Sequence, residues 1–299
     1  MDLLKNEKSR AYLAWMIICV VWGTTYLAIR IGVNGMPPFL FAGSRWIIAG
    51  PVFYAILRLK GFKPPPKNEL KNIAIVGISL LGFANGLVVV AEQWMPSGLT
   101  ALLITTLPFW IVGIESLLPK GPKLNVKILT GVILGFTGVT IIFGGNIEEL
   151  LKTDNLSGIA ALLSAVIFWS LGTIYSKYNK IGTHPLMSAS VQMIIAGIFQ
   201  LGLSFILGEK FYFGSGLNSI LAISYLIIFG SILGFGSYTY AISHLPVSFV
   251  STYAYINPII ALFLGWLFLN EELNIQIFIA AAVIFLGVTL VKQGSGKVR

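Results

Sequence analysis

The stretch Pro38 to Leu57 reads PFLFAGSRWIIAGPVFYAIL, an almost wholly apolar run long enough to cross a bilayer as a helix, with Arg45 as its eighth residue. Eight residues of helix rise ~12 Å, which puts the guanidinium well inside the hydrocarbon. There it costs from ~3 to more than ~10 kcal/mol, depending on how far the side chain can stretch toward the headgroups. A polar cavity between helices is the arrangement that relieves this cost. The segment also occurs twice: RWIIAG at Arg45 to Gly50 returns as QMIIAG at Gln192 to Gly197, 147 residues later, and Pro38 is matched by Pro185. The chain is a duplication.

Composition agrees with a membrane protein. The 299 residues are 56% hydrophobic and 10% charged, with a mean hydropathy of +0.87, too little polar surface for a soluble globule of this size. The first apolar run, Ala11 to Ile29, is too long for the core of a signal peptide and is read as the first span. Cys19, the single cysteine, lies inside it, so neither a disulfide framework nor a thiol metal cluster is expected, and no cofactor is implied. The formal charge of +9 falls in short loops without interleaved aromatics, which argues against a nucleic-acid partner and for a lipid bilayer.

Apolar runs at about 12–31, 38–57, 72–91, 98–118, 126–143, 157–177, 185–207, 219–241, 247–269 and 275–291 predict ten transmembrane helices in an all-α membrane protein. With ten spans, sixteen of the twenty Lys and Arg residues fall on the side of the termini and two, Lys152 and Lys210, on the other. Both termini and Lys63 are then cytoplasmic, and Glu92 and Asp154 face out. The duplication runs through five helices in each half, 12–145 and 157–292. Trp22 and Arg30 are matched by Trp169 and Lys177, Pro96 and Pro108 by Pro246 and Pro258, and Asn125 by Asn274. Five is odd, so the second half begins on the face where the first ended, and the repeats are inverted. Inverted repeats are a recurring architecture of secondary transporters, with the solute site near the midplane.

The five-plus-five repeat, WGTTYLAIR in the first helix, SRWIIAG in the second and NPIIALFLGWLFLNEELN across the ninth resemble the drug/metabolite transporter superfamily, in particular its EamA-type members. The resemblance covers Tyr12 to Lys292. It implies alternating access on small organic solutes such as amino acids, with export the common direction. One departure concerns Glu271: the corresponding turn after the fourth helix reads LLPKGPKLN and offers no matching acid.

Several residues are candidates for the site, each with a structural alternative. Arg45 can hold a solute carboxylate or be satisfied by backbone carbonyls as a packing residue. Gln192, its counterpart, can line the same site or bond between helices. Trp22 and Trp169 are repeat-matched and followed by small or hydroxyl residues, which suits a cavity wall; Tyr253 and Asn257 fall at a similar depth. Pro108 and Pro258 each strip the donor from a carbonyl four residues back, giving a hinge, a free midplane carbonyl or a plain kink. The small-residue faces around Gly131, Gly135, Gly138 and Gly287 can pack within the chain or make a homodimer.

The rival classes are weaker. No aspartate lies in a span, His184 and His244 stand at span ends with no acidic or cysteine ligand near in sequence, and there is no G-x-S-x-G, so an intramembrane enzyme and a metal site are not expected. A channel lacks a filter-like loop. No acid is placed near the midplane. Glu115, the nearest, is read as a partner of Lys120 and Lys123, so transport without obligatory proton coupling is expected.

Overall fold

In hydrocarbon an unpartnered backbone N–H or C=O costs several kcal/mol, so each apolar run closes its hydrogen bonds within itself as a helix. The computed structural model describes residues 7–119, 121, 123–142, 153–179, 181–210, 217–245, 250 and 253–294, and every regular element among them is helical. The helices are α1 (Glu7–Val33), α2 (Pro38–Leu59), α3 (Lys67–Ala91), α4 (Ser97–Ser116) and α5 (Val126–Ile142). They are followed by α6 (Thr153–Tyr178), α7 (Pro185–Ile206), α8 (Leu217–His244), α9 (Tyr253–Leu269) and α10 (Ile275–Gly294). Eight are long and apolar enough to cross a membrane, and α5 and α9 are shorter apolar helices. The runs expected at 126–143 and 247–269 extend beyond the described residues. The side chain of Asp154 also lies outside them.

Repeat-equivalent helices pack on one another: α2 on α7, α4 on α9 and α5 on α10. Meanwhile α1 lies against α8 and α9, as α6 lies against α3 and α4. Glycines record the direction of these contacts. A Cβ on Gly50 would fall 2.7 Å from the Ile194 nitrogen, and one on Gly197 2.5 Å from the Ile47 nitrogen, while Gly43 faces Leu201. Partner numbers fall as the chain rises, so α2 and α7 run antiparallel at backbone-to-backbone distance. In the same sense Gly131 meets Val291 and Gly138 meets Ala280 and Ile284, so the small-residue faces of α5 and α10 are occupied by each other.

Antiparallel packing also solves a capping problem. Helices α2 and α4 each start after a proline, Pro37 and Pro96, with no capping side chain of their own. The exposed N–H groups of α2 are met by Glu209, beyond the end of α7, which accepts from Phe39 N at 3.1 Å and Leu40 N at 2.8 Å. Those of α4 are met by Glu271, beyond the end of α9, which accepts from Ser97 N and Ser97 Oγ at 2.8 Å and from Gly98 N at 3.1 Å. Each helix is thus capped by a carboxylate from its repeat partner, with the charge sign the helix dipole favours. Glu271, without a counterpart in the first half, has its structural use here.

Two local features depart from plain helix. Ile78–Asn85 in α3 and Leu226–Phe235 in α8 are π-helical, at equivalent places in the two halves. Gly82 and Gly86 in the first are matched by Gly230 and Gly234 in the second. Helix α4 is interrupted: it is helical over Ser97–Ile104, turns at Thr105 and Thr106, and resumes over Leu107–Ser116 with Pro108 in its first turn. The freed segment is held by the Thr105 and Thr106 hydroxyls, which donate to the Leu102 and Leu103 carbonyls at 2.6 and 2.7 Å. Pro258, by contrast, sits inside α9, which stays helical over Tyr253–Leu269. Matched prolines therefore give unmatched backbones.

Glu92, placed by sequence at an outward-facing helix end, is fully buried, so its neighbour Gln93, which is exposed, is the better reporter of sidedness. In a Cys19→Ala background, Gln93→Cys should react with a membrane-impermeant thiol reagent added outside intact cells, and Lys63→Cys only after the membrane is opened. Reaction at position 63 in intact cells contradicts the ten-span topology.

Candidate functional site

Arg45 is 3% exposed, and what surrounds it determines what the centre of the bundle can do. Its Nε donates to Ser231 Oγ at 2.7 Å, and its guanidinium carbon lies 4.2 Å from the centroid of the Trp46 ring. Ser231 belongs to the π-helical turn of α8, and at the adjoining Gly230 a Cβ would stand 2.9 Å from Arg45 Nη2. The widened turn and the missing side chain together make room for the guanidinium. Among the described residues no carboxylate lies within 4 Å of it.

The guanidinium lines a partly open cavity of about 80 Å³, along with Trp22, Asn85, Ile104, Trp169 and Tyr253. That is room for a few water molecules. Three of the wall residues, Trp22, Trp169 and Tyr253, belong to an aromatic cluster drawn from four helices. Trp22 stands edge-to-face with Trp169 (5.9 Å between centroids) and with Tyr253 (5.1 Å), and Tyr238 closes the group 5.1 Å from Trp22. The Trp22 Nε1 donates to Gly230 O at 3.3 Å, and Asn85 Oδ1 accepts from Trp46 Nε1 at 3.1 Å. A wider hollow of about 730 Å³ opens near the start of α1, lined by His184, His244, Phe62 and Tyr240. Burial and the nearby His244 hold the His184 imidazole below its ordinary pKa, so it is neutral at pH 7, and partly exposed Leu13 and Ile228 share the hollow's wall.

Four of the residues singled out in the sequence, Trp22, Arg45, Trp169 and Tyr253, share the cavity. Gln192 and Asn257 are buried off it. Gln192 Nε2 donates to Ser188 Oγ at 3.1 Å, and its backbone packs on α3, where a Cβ on Gly77 would lie 2.9 Å from Gln192 Cα. The Asn257 amide, oriented to satisfy both ends, donates to Cys19 O at 2.8 Å and Tyr253 O at 3.2 Å, tying α9 to α1. Pro108 follows Leu107, which lines the cavity, as does Ile104, whose carbonyl loses its helical donor to the proline. Ser231, Gly230 and Asn85 were not anticipated. Asn85 had a signal, a polar side chain within the run 72–91; Ser231 is one small residue among many.

The repeat-matched cations Arg30 and Lys177 hold helix ends. Arg30 Nη1 donates to the Glu92 main-chain oxygen, and Lys177 Nζ pairs with Glu115 Oε1 at 2.5 Å, with Tyr178 OH adding a bond of 3.0 Å. Glu115, expected to pair with the lysines after its own helix, pairs across helices with Lys177, in the last turn of α6 where it lies against α4; Lys120 lies outside the described residues. Both carboxylate oxygens of Glu92 are buried without a hydrogen-bond partner among the described residues. Burial drives its pKa well up; Arg30 pulls it back and Glu271 pushes it further.

A family model, the EamA-like transporter family, matches residues 9–144 and 156–293, once in each half. The chain belongs to this family. Among its relatives is the Escherichia coli K12 protein named "Uncharacterized inner membrane transporter YedA", 34% identical over 94% of this chain and 90% of its own length. The "Probable amino-acid metabolite efflux pump" of the same strain is 26% identical over 91% of each chain. A solved crystal structure, 19% identical, superposes with a TM-score of 0.67 over 94% of this chain and 96% of its own, and so shares the fold. Membership in the EamA-like family makes this chain a multi-pass membrane transporter.

A carboxyl whose folded pKa is raised favours folding at low pH, and that contribution is lost as pH rises through the folded value. The melting temperature of the detergent-purified protein should therefore fall as pH rises from about 5 to about 8, and Glu92→Gln should remove most of this slope. At pH 8 the variant should melt higher by roughly 2–4 °C for each ~1 kcal/mol recovered. Equal slopes in the two proteins would contradict a buried, ionisable Glu92.

Proposed function

We propose that this protein is a secondary carrier that exports small organic metabolites such as amino acids across the cell membrane by alternating access. The reading takes all ten helices as spans, arranged as inverted halves 12–145 and 157–292 with cytoplasmic termini. The antiparallel packing of equivalent helices supports it, since a two-fold axis in the membrane plane makes equivalent helices antiparallel. The observation that carries it is Arg45, a buried cation with no carboxylate partner among the described residues, facing a cavity lined by residues of both halves. In this reading Arg45 holds the solute carboxylate, and Trp22, Trp169 and Tyr253 form the wall against its body. Gln192 and Asn257 fix α7 and α9 behind that wall, and Pro108 and Pro258 are the hinges on which α4 and α9 rock. No chemistry is done on the solute and no cofactor is needed. The small-residue faces of α5 and α10 are used within one chain, so transport does not require a homodimer. The efflux-pump name of one relative favours both the solute class and the outward direction.

No acid among the described residues lines the cavity, so in this reading solute moves by facilitated diffusion or exchange without obligatory proton coupling. A charge-assisted hydrogen bond contributes ~1.5–3 kcal/mol, so Arg45→Ala should slow counterflow in proteoliposomes by roughly 10- to 100-fold at unchanged folded-protein yield. Arg45→Lys, lacking the planar fork, should recover little. An imposed pH gradient should drive no uphill accumulation. Normal counterflow by Arg45→Ala makes the residue structural; gradient-driven accumulation that is lost in Glu115→Gln makes the carrier proton-coupled.

A further inference from the structure

We propose that the cavity selects small monocarboxylates that carry no ammonium group, such as 2-oxo acids with an apolar body, over the corresponding amino acids. The inference rests on Arg45 being the solute anchor and concerns what the remaining wall can and cannot hold. Among the described residues lining the cavity, Arg45 is the single charged one. Its Nε is engaged by Ser231, which leaves the terminal Nη1 and Nη2 edge of the fork for a carboxylate. Asn85 Oδ1 already accepts from Trp46 Nε1, and Gly230 O from Trp22 Nε1. Asn85 is therefore left presenting its amide N–H groups, a second donor beside the guanidinium.

An ammonium group fares poorly in the same walls. Trp22 packs edge to face with Trp169 and Tyr253, and these rings, like the hydroxyls of Thr25, Tyr26 and Tyr253, offer an ammonium only neutral partners. The carbonyl of Ile104, released by Pro108, is a neutral acceptor and cannot balance a charge. Counting charge gives the selectivity. A monoanion brings the site to neutrality, a zwitterion leaves the Arg45 charge uncompensated overall, and an amine doubles it. In a site of low dielectric constant the neutral complex is the stable one.

The test uses three compounds with one carbon skeleton: the 2-oxo acid of leucine, leucine itself and isopentylamine. In counterflow with purified carrier in proteoliposomes, the oxo acid should have a KM at least about tenfold below that of leucine, and the amine should neither be carried nor compete. Asn85→Asp keeps an acceptor for Trp46 Nε1 while adding a carboxylate to the wall. It should reverse the preference, raising leucine over oxo acid by at least about tenfold, an effect a purely structural role for Asn85 cannot produce. If leucine is carried better than the oxo acid by the unmodified protein, the inference fails; the anchoring role of Arg45 survives provided Arg45→Ala still slows leucine counterflow by roughly 10- to 100-fold. If isopentylamine competes as well as the acid, both fail.

Discussion

The bundle is organised around a guanidinium that is buried before its charge is balanced. Desolvating an ion in a protein interior costs several kcal/mol. Against this, Arg45 has one charge-assisted bond to Ser231, of ~1.5–3 kcal/mol, and a ring contact with Trp46 of up to ~2 kcal/mol. These fall short of covering the cost with any margin. The local structure is shaped to tolerate the deficit: a π-helical turn and a glycine in α8 open the space, and the cavity lets the outer edge of the fork meet water or solute. In the proposed reading an incoming anion completes an interaction that the protein leaves half made, which is what binding energy directed to one part of a solute requires.

The duplicated scaffold makes the two sides of that cavity mechanically dependent. Helices α2 and α7 touch through glycines at main-chain distance. The starts of α2 and α4 are capped by Glu209 and Glu271 from the second half, and each cap is worth on the order of 0.5–2 kcal/mol. Contacts of that size are strong enough to fix one arrangement and weak enough to be exchanged in a transition between two packings. Arg45 lies two turns into the helix that Glu209 caps, so a change at that end reaches the site through a single rigid element.

Much of this was legible in the sequence, because hydrophobic run length and repeated landmarks are set by the bilayer and by duplication and not by details of packing. The membrane class, the two halves, Arg45 and the aromatic wall of Trp22, Trp169 and Tyr253 could all be read that way. The π-helical turns could not: an i→i+5 bond uses the same residues as an i→i+4 bond and is chosen by what presses on the helix. Ser231, the partner of Arg45, is invisible for the same reason. Gln192 inherits the position of Arg45 but not its surroundings, since its face of α7 packs on Gly77 of α3. Glu92 stands at a helix end, which usually means exposure, yet the neighbouring helix ends close over it. Pro108 and Pro258 match in sequence, but only the first is preceded by two threonines whose hydroxyls hold an unwound turn.

Binding at the site is open to a direct optical measurement, because Trp46 lies under the guanidinium and Trp22 and Trp169 line the same cavity. Intrinsic tryptophan fluorescence of the purified protein should change saturably on titration with a small monocarboxylate, and Arg45→Met, of similar length but uncharged, should abolish the change while leaving the emission of the unliganded protein near that of the parent. An equal, saturable change in Arg45→Met would show that the anion binds without the buried cation and would contradict the role assigned to it.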